Sequence, residues 1–357
     1  MDIWLGSYLK RNVSREPADP SKPVDIFFAL CDHFEPRWED PGLETERRRV
    51  DAWCERRPGL ARGHRDSDGR PPQHTFFYPQ EEYCKEHVEK LAALCRKGHG
   101  EVEVHLHHDR DTSQGFREKL ERFRNELAGQ GLLARAPDGA VRYAFIHGNW
   151  ALDNSLPDGT LCGVNDELTI LRETGCYADF TLPSAPSAAQ TRTVNSIYYA
   201  ADDPASPKSH DRGTQVKVGG APSGDLLLIQ GPLAFNWRRR KWGILPRIEN
   251  GEIACGNPPT PQRVDLWVRQ AIHVEGRPNW IFIKVHTHGA QEANWEVLLG
   301  RPLHDMLDDM ESRYNDGRRY RLHYVTAREM YNVIKAAEAG LDGDPGAHRD
   351  FALKRGF

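Results

Sequence analysis

The chain of 357 residues contains no long apolar run and no excess of basic charge. No stretch approaches the roughly 18 consecutive apolar residues of a membrane-spanning helix, so we expect no membrane span. The N-terminus also lacks the run of about 7–15 apolar residues found in secretory signals, which predicts a cytoplasmic protein. A formal net charge of −4 provides no general attraction for nucleic acid, and we expect no nucleic-acid partner.

The chain also lacks any CxxC pair, and its seven cysteines are scattered and odd in number. This pattern argues against a disulfide framework and a zinc-thiolate site, and it is typical of reduced thiols in a cytosolic protein. The basic run from Arg238 to Lys241 is expected to lie in a solvated loop. The charged stretch 39–70 has little apolar periodicity, which predicts surface loop with a short helix.

What the sequence does contain is a series of short apolar runs with helical patterns between several of them. Eight runs have strand character, at 24–31, 75–78, 101–109, 141–146, 177–182, 194–199, 226–229 and 280–285. Strands that alternate with helices favour parallel pairing. We therefore predict an α/β fold, a distorted (β/α) barrel of seven or eight parallel strands. Residues 1–23 would be an N-terminal lead, 24–290 the barrel and 291–357 a C-terminal helical extension packed on it.

The run EVEVHLHHD at 101–109 carries the strongest functional signal. Strand alternation places the polar and the apolar side chains on opposite faces. The polar face carries Glu101, Glu103, His105 and His107, and the apolar face carries Val102, Val104 and Leu106. Ionisable groups on a buried face must be paired or bound to a metal. The alternative is an edge strand whose polar face is solvated.

Histidine or aspartate stands at the end of four of the predicted strands. These positions are Asp32 and His33, His105 to Asp109, His147 and Asn149, and His286 and His288. In an α/β barrel the carboxyl ends of the strands meet on one face, where active sites lie. The pattern predicts one divalent metal ion, zinc first, with cobalt, nickel, iron or manganese as alternatives. An open metal site would also activate water.

Six motifs in chain order resemble a known family. They read LCDHFEP, HTFFYP, GHGEVEVHLHHD, HGNWALDN, LRETGCYADF and IFIKVHTHG. Their order and spacing are similar to those of the polysaccharide deacetylases, carbohydrate esterase family four, within the wider group of deacetylases and glycoside hydrolases that share a distorted barrel. The resemblance covers roughly residues 24–290. The chain departs from it where HGNWALDN replaces the family's Arg-Pro-Pro-Tyr motif.

The resemblance implies a role for residues at the first and last strand ends. Asp32 stands where the family has its catalytic base, and His286 stands where it has a general acid, with His288 as neighbour. The family's metal-binding aspartate is replaced by His33.

For the rest of the metal site, His105 matches the first metal histidine of the family. Asp109 stands where the family has a second histidine, and His107 or His108 could replace Asp109 as ligand.

Residues after the fourth strand are candidates for substrate binding. We expect His147, Asn149 and Trp150 to contact the substrate, the tryptophan by stacking on a sugar ring. For Trp150 core or rim packing is an alternative, and for Asn149 a turn that it stabilises.

The resemblance implies a metal-dependent hydrolase that removes an acetyl group from a carbohydrate or glycan precursor. One alternative is a glycoside hydrolase on the same barrel, which would use Asp32 with Glu35, Asp109 or Asp153 as its carboxylate pair. The other is a non-catalytic barrel that binds glycan. Acetate release against sugar release separates the two enzymes.

Overall fold

The computed structural model describes residues 3–357, and the first two residues of the predicted lead lie outside this range. The strands are β1 Val24–His33, β2 Thr75–Pro79, β3 Glu101–Leu106, β4 Ala134–Arg135, β5 Val141–His147, β6 Cys176–Asp179, β7 Ile197–Ala200, β8 Gly213–Gln215, β9 Leu226–Ile229, β10 Ala234–Lys241, β11 Leu245–Glu249, β12 Trp280–Thr287 and β13 Tyr320–Tyr324. The α-helices are α1 Leu5–Ser14, α2 Leu43–Ala61, α3 Lys85–Leu94, α4 Ser113–Gly129, α5 Glu167–Thr174, α6 Pro261–Arg269, α7 Trp295–Leu298, α8 Arg301–Tyr314 and α9 Ala327–Glu338.

The central sheet is mostly parallel, with the strand order β12-β1-β2-β3-β5-β6-β9-β7-β8. The pairings from β12 to β9 are all parallel. This confirms the predicted α/β class with a mostly parallel sheet. Within residues 3–357 no strand pairing joins β9 to β12, so closure into a barrel stays a prediction.

Two sequence predictions about the strands between β6 and β12 are wrong. The run 194–199 was expected to be parallel, but β7 pairs antiparallel with both β9 and β8. The basic run from Arg238 to Lys241 belongs to β10, which forms a hairpin with β11. This hairpin is largely exposed on both faces, so its sequence lacks the apolar alternation that marks a half-buried strand.

The segment 39–70 contains a helix of 19 residues, α2, where mostly loop was expected. Charged side chains on its buried face explain the weak apolar periodicity. Arg49 donates to the carbonyl of Pro36 at 2.9 Å, and Arg57 donates to the carbonyl of Pro72 at 2.6 Å. Because these partners lie outside the helix, only the tertiary fold makes burial of the charges tolerable.

The side chains of β1 alternate between two apolar clusters, one on each face of the sheet. Ile26, Phe28 and Leu30 pack in the apolar cluster that includes Val50 and Trp53 of α2. Phe27, Ala29 and Cys31 pack in a second cluster, on the inner face, with Met330 and Val333 of α9. Since side chains alternate along a strand, Asp32 lies on the side that faces α2 and His33 lies on the inner side.

The C-terminal segment joins the central sheet. Strand β13 pairs parallel with the first half of β1, from Val24 opposite Tyr320 onward. Helix α9 begins with a capping box formed by Thr326 and Glu329. The division at residue 290 stays a prediction. Over the described part of the chain, no helix combines the length and apolar character needed to cross a bilayer.

Candidate metal centre

Three buried side chains meet on the inner face at the carboxyl ends of β1 and β3. His33 ends β1, Glu35 follows two residues later, and His105 lies in β3. One ligand atom from each of the three lies within 4.8 Å of the others. Two imidazoles and one carboxylate form a ligand set suited to a divalent transition metal.

The orientation of His105 is fixed by the backbone of β5. Its Nδ1 lies 2.8 Å from the carbonyl oxygen of Ile146. A carbonyl can only accept, so Nδ1 carries the proton and Nε2 presents a lone pair. That Nε2 lies 3.2 Å from Oε1 of Glu35. Because a nitrogen lone pair and a carboxylate oxygen repel each other, a proton or a cation must lie between the two atoms. Metal-bound histidines are commonly oriented by such a hydrogen bond on the other ring nitrogen.

His33 supplies the observation that most favours a metal. Its ring lies 4.8 Å from the ring of His105, and its buried Nε2 has no hydrogen-bond partner in the described chain. Burial, and then the neighbouring histidines, hold the pKa of His33 well below its ordinary value. A neutral imidazole with an unpaired nitrogen beside a carboxylate fits a bound cation.

Two of the three residues, His33 and Glu35, line a cavity of 310 Å³ that reaches the surface. Its wall includes Glu35 and His33 together with Trp150, His288 and the exposed Asn149. The rings of His288 and Trp150 lie 4.7 and 5.9 Å from that of His33. The predicted residues Asn149, Trp150, His33 and His288 are thus brought together around one cavity.

His107 lies beside this group but has two acidic partners of its own. Its Nδ1 lies 2.5 Å from Glu81 and its Nε2 lies 3.4 Å from Glu35. Burial opposes protonation, yet hydrogen bonds to Glu35 and Glu81 raise the pKa of His107 to about 10. His107 thus has a carboxylate at each ring nitrogen, and among residues 3–357 it does not belong to the group of ligand atoms formed by His33, Glu35 and His105.

His286 lies deeper than His288 on the inner face. Its ring is 6.1 Å from that of His33, and its buried Nδ1 is without a hydrogen-bond partner among residues 3–357. Two residues earlier, Lys284 is fully buried, and burial lowers its pKa to about 8. The residue that the resemblance assigns as general acid therefore lies beneath the cavity, while His288 lines it.

The structure does not bring Asp32 to the cavity. Its carboxylate accepts a hydrogen bond from the backbone N–H of Gly289 at 2.5 Å and lies 2.9 Å from Nε2 of His74. Burial raises the pKa of Asp32 and lowers that of His74. A side chain on Gly289 would collide with Asp32 and Trp53, so this contact requires glycine. Asp32 thus anchors the turn that carries His288, on the opposite side of β1 from the predicted metal.

Three other predicted residues also lie away from the cavity. Asp109 is exposed and accepts a hydrogen bond from the N–H of Leu161 at 2.6 Å. His108 and His147 are buried together in another group, their rings 4.7 Å apart. His108 points away from its neighbour His107 because successive side chains at a strand end point in opposite directions. His147 does not share the side of Asn149, because the chain leaves strand geometry after β5 and Asn149 has φ +55°.

Glu35 is the functional candidate that the sequence interpretation missed as a ligand. It was considered only as one member of a glycosidase carboxylate pair. Its spacing of two from His33 in LCDHFEP is the signal that could have identified it, since that spacing returns a side chain to the same face of an extended chain.

A larger cavity of 870 Å³ lies at the other end of β1, where Asp25, Arg277 and Trp280 contribute to its wall. Its lining contains no histidine or cysteine. The smaller cavity therefore remains the better candidate for chemistry.

Comparison with known proteins gives a distant structural likeness. No protein-family model matches the chain. No curated protein matches it either. A crystal structure from Parabacteroides distasonis, provisionally described as a glycoside hydrolase/deacetylase, is similar over 90% of this chain and 72% of its own, with 10% sequence identity and a TM-score of 0.40. At this level the likeness assigns neither residues nor an activity to this chain.

Proposed function

We propose that the chain is a metal-dependent hydrolase that removes an acyl group, most simply acetyl, from a carbohydrate or glycan precursor. The observation that carries the proposal is the buried, unpaired Nε2 of His33 beside Glu35 and His105, next to a cavity open to the surface. The resemblance of the six motifs to the polysaccharide deacetylases supports the same chemistry.

In this proposal His33, Glu35 and His105 hold one divalent ion, zinc being the first choice. Three protein ligands leave a coordination position free, as in catalytic zinc sites. Such an ion, when bound, lowers the pKa of water and polarises an acyl carbonyl.

The remaining cavity residues take binding and proton-transfer roles. His288 lines the cavity, and its imidazole would take a proton from the attacking water and then give it to the leaving oxygen or nitrogen of the sugar. The indole of Trp150 offers an apolar face to a sugar ring. Asp32 acts as a positioning residue because it holds Gly289, the residue after His288.

The test is acetate release from N-acetylated and O-acetylated amino sugars by wild type, Glu35→Gln and Glu39→Gln. Glu39 lines the same cavity but is exposed and belongs to no group of potential ligands among residues 3–357, so it is the matched control. Loss of a ligand should cost more than the roughly 10–100-fold effect of an outer-shell change. We expect Glu35→Gln to lose activity together with one equivalent of bound metal, and Glu39→Gln to keep both.

Two results would overturn the proposal. Wild type that holds a full equivalent of metal but releases reducing sugar instead of acetate would be a glycoside hydrolase. Wild type that binds glycan but releases neither product would be the non-catalytic barrel.

A further inference from the structure

A second group of ligand-type side chains lies outside the cavity. Four chain segments contribute to it: His108 follows β3, His147 ends β5, Cys162 lies in the following loop and Glu167 begins α5. All four are buried, and one ligand atom from each lies within 4.8 Å of the others. None of the four belongs to the group formed by His33, Glu35 and His105.

His147 presents an unpaired nitrogen to the centre of this group. Its Nδ1 donates a hydrogen bond to the carbonyl of Gly148, which leaves the lone pair on Nε2. That Nε2 is 3.4 Å from Oε1 of Glu167, is buried and has no hydrogen-bond partner in the described chain. Because the lone pair of Nε2 and the carboxylate oxygen repel each other in this buried site, a cation bound between the two atoms would stabilise the arrangement.

His108 is held between two carboxylates in the manner of a metal-bound histidine. Its Nε2 is 3.3 Å from Glu167, while its Nδ1 is 3.4 Å from Asp111. Its ring stacks on Phe116 at 4.7 Å, which fixes the ring plane. Histidines that bind zinc usually bind the ion through one ring nitrogen, here Nε2, and donate a hydrogen bond to a carboxylate through the other, here Nδ1.

Cys162 brings a sulfur to the same point. Its Sγ is 3.5 Å from Oε2 of Glu167 and accepts a hydrogen bond from the N–H of Asn154 at 3.3 Å. The next residue, Gly163, has φ +94°, and a side chain there would collide with the backbone of Arg110 and Asp111. Glycine thus allows the cysteine loop to lie against the loop that follows His108.

We propose that His108, His147, Cys162 and Glu167 bind a structural zinc ion. A thiolate among the ligands favours zinc over magnesium, calcium or manganese. Four protein ligands in a buried site leave no position open for substrate, which is typical of structural sites. The ion joins the ends of β3 and β5 to the start of α5, and it thereby fixes the loop that carries Asn149 and Trp150 to the cavity.

The first test counts metal in protein purified without chelator. Wild type should hold two equivalents, and Cys162→Ala and Glu167→Gln should each hold one. Cys255→Ala is the control, because Cys255 is an exposed thiol outside the group, and it should hold two.

The second test uses wild type reloaded with cobalt, so it does not depend on the folding of a variant. A thiolate-to-cobalt charge-transfer band in the near ultraviolet should appear in wild type and Cys255→Ala, and X-ray absorption of the zinc form should give a Zn–S distance of about 2.3 Å. The cavity site contains no sulfur, so these signals report the second site alone. Only nitrogen and oxygen ligands, or no metal at all, would overturn the inference whatever the fate of the proposed hydrolase.

Discussion

At the scale of single residues, the direction of side chains along β1 decides which residues serve the candidate site. The sequence placed Asp32 and His33 together at a strand end. The structure turns His33 toward Glu35 and His105, and it turns Asp32 toward Gly289 and His74. The sequence could predict which strand ends carry the site. Which of two adjacent residues faces the cavity depends on which side of the sheet α2 covers, and that is a tertiary property.

Asp32→Asn tests the positioning role against the role of catalytic base. The amide oxygen can still accept from Gly289 and the amide nitrogen can donate to His74, so the turn before Gly289 should be kept. We expect bound metal to be unchanged and deacetylation to fall far less than the roughly 10²–10⁴-fold expected for loss of a general base.

Asp32→Ala is the companion variant. It leaves the buried N–H of Gly289 unpaired, at a cost of about 1–3 kcal/mol in the free energy of unfolding. A loss of 10²-fold or more in Asp32→Asn, with metal and thermal stability unchanged, would restore Asp32 as the base.

At the scale of elements, the attachment of β13 to β1 depends on a buried histidine. His323 lies between Asp25 and Asp68, with both distances 2.9 Å. Two arginines also face this pair of carboxylates, Arg321 at Asp25 and Arg349 at Asp68. Burial opposes protonation of His323, but the hydrogen bonds to Asp25 and Asp68 raise its pKa.

This pairing predicts a pH-dependent stability. Because the pKa of His323 is raised in the folded state, its stabilisation is complete below the unfolded value of about 6.5 and is lost as pH rises through the folded value. The free energy of unfolding of wild type should therefore fall above about pH 6.5 relative to His323→Asn. Chemical denaturation at several pH values measures this difference.

His348→Asn is the control for that series, since His348 is half-buried and takes part in neither of the ion pairs of His323. It should follow the pH dependence of wild type. Parallel curves for wild type and His323→Asn would contradict the assignment.

The elements differ in how well the sequence predicted them. Helix α4 has a clear apolar stripe of Phe116, Leu120, Phe123 and Leu127, and this stripe predicts the helix, although its N-cap is Thr112 and not Ser113. Helix α2 was missed because buried arginines interrupt its apolar face. Their partners lie outside the helix, in the flanking loops and at Glu292, which is far away in sequence. Local patterns therefore predict elements whose buried face is apolar, and they fail where long-range hydrogen bonds replace apolar contacts.

At the scale of the whole molecule, the mostly parallel sheet explains why residues from distant parts of the chain meet. Strands β1, β3 and β12 all end at the same edge, which brings His33, His105 and His288 together. This much followed from alternating strands and helices. The reversed β7 and the β10–β11 hairpin did not, because strand direction and hairpin placement are set by contacts far apart in sequence.

The central claim is a metal held by His33, Glu35 and His105, and anomalous X-ray scattering tests it most directly. Crystals of protein purified without chelator would be measured on both sides of the absorption edge of the metal found by elemental analysis. The account predicts an anomalous peak about 2.0–2.2 Å from the Nε2 atoms of His33 and His105 and from the Glu35 carboxylate. Metal-containing crystals with no anomalous peak at those three side chains would contradict it.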